Sequence, residues 1–172
     1  MGQPLKLRAE DSADLAVVAA CLQDAIVPVA EMAFQAEQRQ FLLLASRFCW
    51  EVEPGALSAG PTVEAEDQPE VHERVTCAVR VTGVERVQIR GFDLRRRGDM
   101  LSLLTLSDDA QGLTLVFAGG AAVRLDGRRW RLWLEDVGES WPTRLRPAHP
   151  DPDTPSDPAA LSDPAAPSGG TP

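Results

Sequence analysis

The chain has 172 residues, 44% hydrophobic and 25% charged, with a net charge of −9. That is enough apolar material for one domain with a core, and no apolar run approaches the ~20 residues that cross a bilayer as a helix. Two histidines and three widely spaced cysteines without a C-x-x-C argue against a metal site, a Cys–His nucleophile pair and a disulfide framework.

"MGQPLKLRAEDS" lacks the apolar stretch of a signal peptide, and Lys6 stands where myristoylation of Gly2 requires Ser or Thr. The expectation is a cytoplasmic protein with no membrane partner. Leu5–Ala9 alternates as a strand. From Glu10 the period changes: Leu15, Val18, Cys21 or Leu22, Ala25 and Ile26 follow the i, i+3, i+4, i+7 spacing of an amphipathic helix. Asp11 or Ser12 caps it, and Pro28 stops it. "VAEMAFQ" and "RQFLLLASRFCWEVE" then read as a hairpin around a short polar turn, the second arm apolar enough to be central.

Residues 54–73, rich in Pro, Gly, Ala and acids, read as a flexible loop inside one domain spanning 1–146. In "RVTCAVRV", Val75, Cys77, Val79 and Val81 share one face, Gly83 marks a bulge or tight bend, and "VERVQIRG" resumes a strand. "FDLRRRGD" is a polar connector, "MLSLLTLS" a short, largely buried strand, and "DDAQG" a hairpin turn.

"LTLVFA" and "AAVRL" read as one strand bent at Gly119-Gly120, "DG" as a hairpin turn, and "RRWRLWLEDV" as the return strand. A phosphate cradle would need a helix after the glycines, and here a strand follows. Period-two alternation puts Trp130, Leu132 and Leu134 on one face, and Arg129, Arg131 and Trp133 on the other. Beyond Arg146 the Pro/Ala/Asp-rich tail, 147–172, reads as disordered. The whole is α+β: one N-terminal helix packed on a curved, mostly antiparallel sheet of about seven strands. A pleckstrin-like half-open barrel is favoured over a split barrel.

Three of the stretches resemble a small bacterial family, domain of unknown function twenty-nine forty-eight. They are "LKLRAEDSADLAVVAACLQDAIVPVAEMAF", "RGFD" with "MLSLLTL", and "LTLVFAGGAAVRL" with "LEDVG", within roughly residues 5–147. The resemblance implies no activity, cofactor or site residue. Residues 54–73 and the tail look peculiar to this chain, so a shared function is not expected there.

Candidate sites therefore rest on the residues themselves. The paired acids Asp108-Asp109 and Glu135-Asp136 sit at turns or strand ends, where solvated carboxylates are routine. No hydrolase, metalloprotease or kinase signature occurs, tyrosine is absent, and Lys6 is the only lysine. No catalytic residue, metal or cofactor is assigned, although a small enzyme with an unrecognised pocket remains an alternative. Charge is uneven: residues 1–73 carry 4 basic and 13 acidic side chains (−9), residues 74–146 carry 13 arginines and 9 acids (+4), and the tail carries four aspartates (−4).

Arg95, Arg96 and Arg97 form a candidate anion-binding loop, and Trp133 with Arg129 and Arg131 a candidate partner-binding surface. Trp141 also looks exposed. The acidic whole weighs against nucleic acid. The expected function is that of a non-enzymatic interaction or scaffold domain that binds a protein partner or itself; the alternative is an anion- or RNA-binding module.

Overall fold

The computed structural model describes residues 4–51 and 72–144. Strand β1 (Lys6–Ala9) leads into helix α1 (Ser12–Leu22), which Asp11 caps by accepting a 2.9 Å hydrogen bond from the Asp14 amide. Leu15, Val18 and Leu22 face the core as their spacing predicts, while Cys21 is half-buried. The helix stops earlier than Pro28 requires. Asp24 takes a left-handed φ of 59°, its amide donates to the Leu103 carbonyl, and the chain leaves as β2 (Ile26–Pro28). Ala25 and Ile26, expected on the helix stripe, thus belong to an extended segment held by cross-strand bonds.

The predicted hairpin forms between β3 (Met32–Gln35) and β4 (Gln40–Phe48), in register from Met32–Leu43 to Gln35–Gln40. Strand β5 (His72–Thr82) pairs along all of β4 and buries Val75, Cys77, Val79 and Val81, the face its alternation predicts. His72 and Glu73 begin this strand and are not part of the preceding loop; positions 54–71 and 145–172 lie outside the described residues. On its other side β5 pairs with β10 (Arg131–Asp136), which pairs in turn with β1, and β11 (Trp141–Thr143) extends the start of β5. One layer therefore runs β1-β10-β5-β4, with β3 also on β4.

The second layer is β7 (Met100–Asp109), β8 (Gly112–Phe117), β9 (Ala122–Asp126) and β6 (Arg86–Arg90). The layers join through β2, which pairs with β4 at Ile26–Ser46 and with the first residues of β7. A register shift between Leu103 and Thr105 bends β7 out of one layer and into the other. The result is an open sheet of 11 strands, every described pairing antiparallel, wrapped around one apolar cluster with α1 packed against it. The α+β class and the mostly antiparallel sheet stand; the strand count exceeds the expected seven because β2 and β11 are too short to show a period and one stretch read as a single bent strand is two, β8 and β9.

Three local readings are corrected. Gly119 and Gly120, with φ of 74° and 80°, reverse the chain in a tight turn, so β9 returns antiparallel to β8 and does not continue it. The "DG" at Asp126-Gly127 makes no hairpin: β9 pairs with β8 and β6, whereas β10 pairs with β1 and β5 in the other layer. Strand β7 buries only Leu103 and Leu106, and Met100 and Leu104 are exposed.

Gly127 marks one crossing between layers and Gly83, where φ is 77°, marks the other. A Cβ on Gly127 would lie 2.0 Å from the Gly83 carbonyl oxygen, and one on Gly83 2.4 Å from that of Arg129. The two crossings pack backbone to backbone, which only glycine permits.

The solvent face of the second layer is held by charge. Arg124 donates to both Asp109 oxygens at 2.7 and 2.9 Å and to Asp126 at 3.0 Å, and Arg86 adds a second bond to Asp126. These hydrogen bonds hold the Asp109 carboxyl at about 2, against an ordinary 3.8, and lower that of Asp126. Carboxyls depressed in the folded state stabilise fully above their unfolded values and lose that contribution as pH falls through the folded ones. Arg124→Gln is expected to flatten the acid limb of a Tm-against-pH curve between about pH 4 and pH 2. An acid limb identical to wild type would show that Arg124 does not set these carboxyls.

Candidate functional site

The outer face of the first layer is built by alternation. Leu132 and Leu134 of β10 point into the core, so Arg131, Trp133 and Glu135 point out. The same rule turns Lys6 and Arg8 outward from β1, and Thr76, Ala78, Arg80 and Thr82 outward from β5. Strand register then assembles one row across four strands: Arg8 opposite Trp133, Trp133 opposite Arg80, Arg80 opposite Leu42.

Within that row the guanidinium carbon of Arg80 lies 4.7 Å from the Trp133 ring centroid and that of Arg8 lies 5.8 Å from it. The indole sits between two cations, one from each flanking strand, in cation–π range. Trp133 is half-buried, with the Arg8 and Arg80 guanidiniums over its ring. Glu10 pairs with both Arg8 and Arg131, the latter at 2.8 Å, and Lys6 pairs with Glu135 at 2.5 Å. Arg80 has no carboxylate partner among the described residues. Beside it Leu42 is half-buried and Leu44 is 37% exposed, so an apolar strip borders the cationic one.

The other nominated residues lie apart from this row. Arg129 belongs to the turn before β10, in a cleft of about 550 Å³ lined by Gln38, Arg39, Gly83, Glu85, Arg128 and itself. Arg39 and Glu85 pair across that cleft at 2.5 Å. Arg95, Arg96 and Arg97 occupy the connection from β6 to β7. Asp93 fixes it by accepting from the Arg95 amide at 2.9 Å, and Arg97 donates to the Ala30 carbonyl at 2.8 Å. Arg95 and Arg96 are exposed, with no ion pair among the described residues. Trp141 is 40% exposed.

The family model of DUF2948, described as a protein of unknown function, matches residues 5–149. The chain belongs to this family. No curated protein and no solved structure matches it.

Sequence reasoning nominated Trp133 and Arg131 but missed Arg8 and Arg80. Alternation alone marks both as outward-facing; what it lacks is that β1 and β5 flank β10. It also missed the most buried charge among the described residues of the DUF2948 domain. Arg47, 1% exposed, forks onto Asp136 at 2.8 and 2.7 Å and onto Glu51 at 3.1 and 2.6 Å.

Burial opposes charge on Arg47, but the two carboxylates outweigh it and raise its affinity for the proton; in return Arg47 lowers the Glu51 carboxyl against the effect of burial. Asp136 also accepts from the Leu5 amide at 2.9 Å, tying β1 to the end of β10. The three cysteines are free thiols. Burial pushes Cys49 up to about 11 and Cys77 up to about 12, so both stay protonated at neutral pH. Among the described residues no cluster of three or more His, Cys, Asp or Glu side chains is placed to hold a metal, and no helix is long and apolar enough to cross a membrane.

Proposed function

We propose that the domain is a non-enzymatic interaction module whose outer sheet face, centred on Trp133, docks a protein partner, a second copy included. The observation that carries this reading is the Arg8–Trp133–Arg80 row on a solvent-facing sheet. Tryptophan and arginine are the residues most enriched at binding hot spots, and stacking pre-orders both side chains before a partner arrives. The uncharged strip at Leu42 and Leu44 supplies apolar area beside them. A second reading, anion binding at Arg95–Arg97, is supported by the fixed backbone of that loop and by the guanidiniums of Arg95 and Arg96, which have no ion pair among the described residues.

Trp133→Ala is the direct test. With the ring half-buried and two guanidiniums over it, the expected loss of stability is about 1–2 kcal/mol, the sum of two partly exposed cation–π contacts. A core aromatic would cost ~3–5 kcal/mol. Self-association followed by light scattering, or capture of a protein partner, should weaken by about 2 kcal/mol or more, roughly thirtyfold in affinity. Association that is unchanged in this variant, whatever its melting temperature, would refute the docking role.

A further inference from the structure

We propose that the segment recognised by this face is acidic: an extended peptide of the partner carrying carboxylates, flanked by an apolar side chain. This rests on the docking role of the Trp133 face and names its ligand chemistry. Three observations point the same way.

First, the indole lies between two guanidiniums. A single-stranded nucleic acid platform works by leaving an aromatic ring face free for a base to stack on. Here arginines from β1 and β5 occupy that position, so the ring is spent on holding cations.

Second, a guanidinium held over a ring face makes that contact through its π system and keeps N–H donors for a second partner. Their fork matches the two oxygens of a carboxylate. Arg80 presents it with no carboxylate partner among the described residues, and Arg8 shares Glu10 with Arg131.

Third, the face carries the cations Lys6, Arg8, Arg80 and Arg131 against Glu10 and Glu135, a surplus of two on a chain of net −9. A long polyanion would be repelled by the rest of such a molecule. A short acidic segment meets only the local surplus, because exposed charges beyond about 8–10 Å are screened at physiological salt.

The geometry also sets spacing. Arg8 and Arg80 stand two strands apart, about 10 Å at ~4.8 Å per strand, which an extended peptide covers in about three residues. Leu42, opposite Arg80, and Leu44, one row along the strand, lie where a neighbouring apolar side chain of the same peptide would rest.

The experiment uses the full chain and two fluorescein-labelled 12-residue peptides, one alternating Glu with Leu and Ala, the other with every Glu replaced by Gln. A single-stranded 12-nucleotide RNA is the third probe. Anisotropy should show the Glu peptide binding at least about tenfold tighter than the Gln peptide, since hydrogen bonds to a charged group are worth about that factor or more.

Arg80→Gln should remove about tenfold of that affinity while lowering the Tm by no more than about 4 °C, the share of one cation–π contact, and Arg80→Lys should restore only part of the affinity, because ammonium lacks the fork. Equal binding of the two peptides, or an Arg80→Gln variant that binds like wild type, overturns the inference. So does RNA bound more tightly than the Glu peptide and weakened by Arg80→Gln, which makes the face a nucleic-acid site. Failure of the Glu peptide while Trp133→Ala still abolishes association removes only the acidic ligand and leaves the docking role standing.

Discussion

Asp136→Ala is expected to destabilise the domain by about 3–5 kcal/mol, the cost of stripping one partner from a buried ion pair. Arg47 is 1% exposed and cannot swing out to water. With Asp136 gone it keeps Glu51 and a 3.3 Å bond to the Phe48 carbonyl, but Nε loses its acceptor and Nη2 one of its two. The Leu5 amide loses its acceptor at the same stroke, loosening β1 from β10. At 2–4 °C per kcal/mol for a chain of this size, the melting temperature should fall by roughly 10 °C.

The double variant Arg47→Met, Asp136→Leu should be milder than the single one, because it removes the charge along with its partner. A single variant that melts within a degree or two of wild type would mean that Arg47 reaches solvent.

Leu22→Asp should be comparably damaging. Leu22 is buried in the last turn of α1, inside the apolar cluster, and no cation lies in that turn to pair with a new carboxylate. An unpaired buried carboxylate costs several kcal/mol, a large share of the ~5–15 kcal/mol that holds a domain together. The variant is expected to lose its cooperative thermal transition, or to melt more than about 10 °C lower. Circular dichroism that matched wild type through the transition would remove this face of α1 from the core.

How far the candidate face was legible in the sequence differs residue by residue. Trp133 and Arg131 stood out because alternation around Leu132 and Leu134 forces them onto the polar side. Arg8 and Arg80 obey the same alternation in their own strands, yet nothing local says that β1 and β5 are the strands on either side of β10. That adjacency joins residues more than 40 positions apart, and chain order hides it. Arg129 illustrates the reverse error: alternation continued one step past the strand's end assigned it to the Trp133 face, whereas the turn at Gly127–Trp130 carries it into the cleft with Arg39 and Glu85.

The sequence by itself determined the α+β class, helix α1 and its buried stripe, the β3–β4 hairpin and the buried faces of β5 and β10. These depend on periods of 3.6 and 2 and on capping and turn chemistry, all contained within a dozen residues. Only the tertiary structure decided that β9 and β10 part company at Gly127, that β7 bends from one layer into the other, and that Arg47 finds Asp136. "DG" between two strand-like runs favours a hairpin locally, but β10 buries Leu132 and Leu134 between β1 and β5, and the fit of that apolar face outweighs the turn preference. Arg47 lies in an otherwise apolar alternation, where a charge signals an outward turn; it is tolerated inward because Asp136 from the end of β10 and Glu51 from the turn after β4 meet its fork.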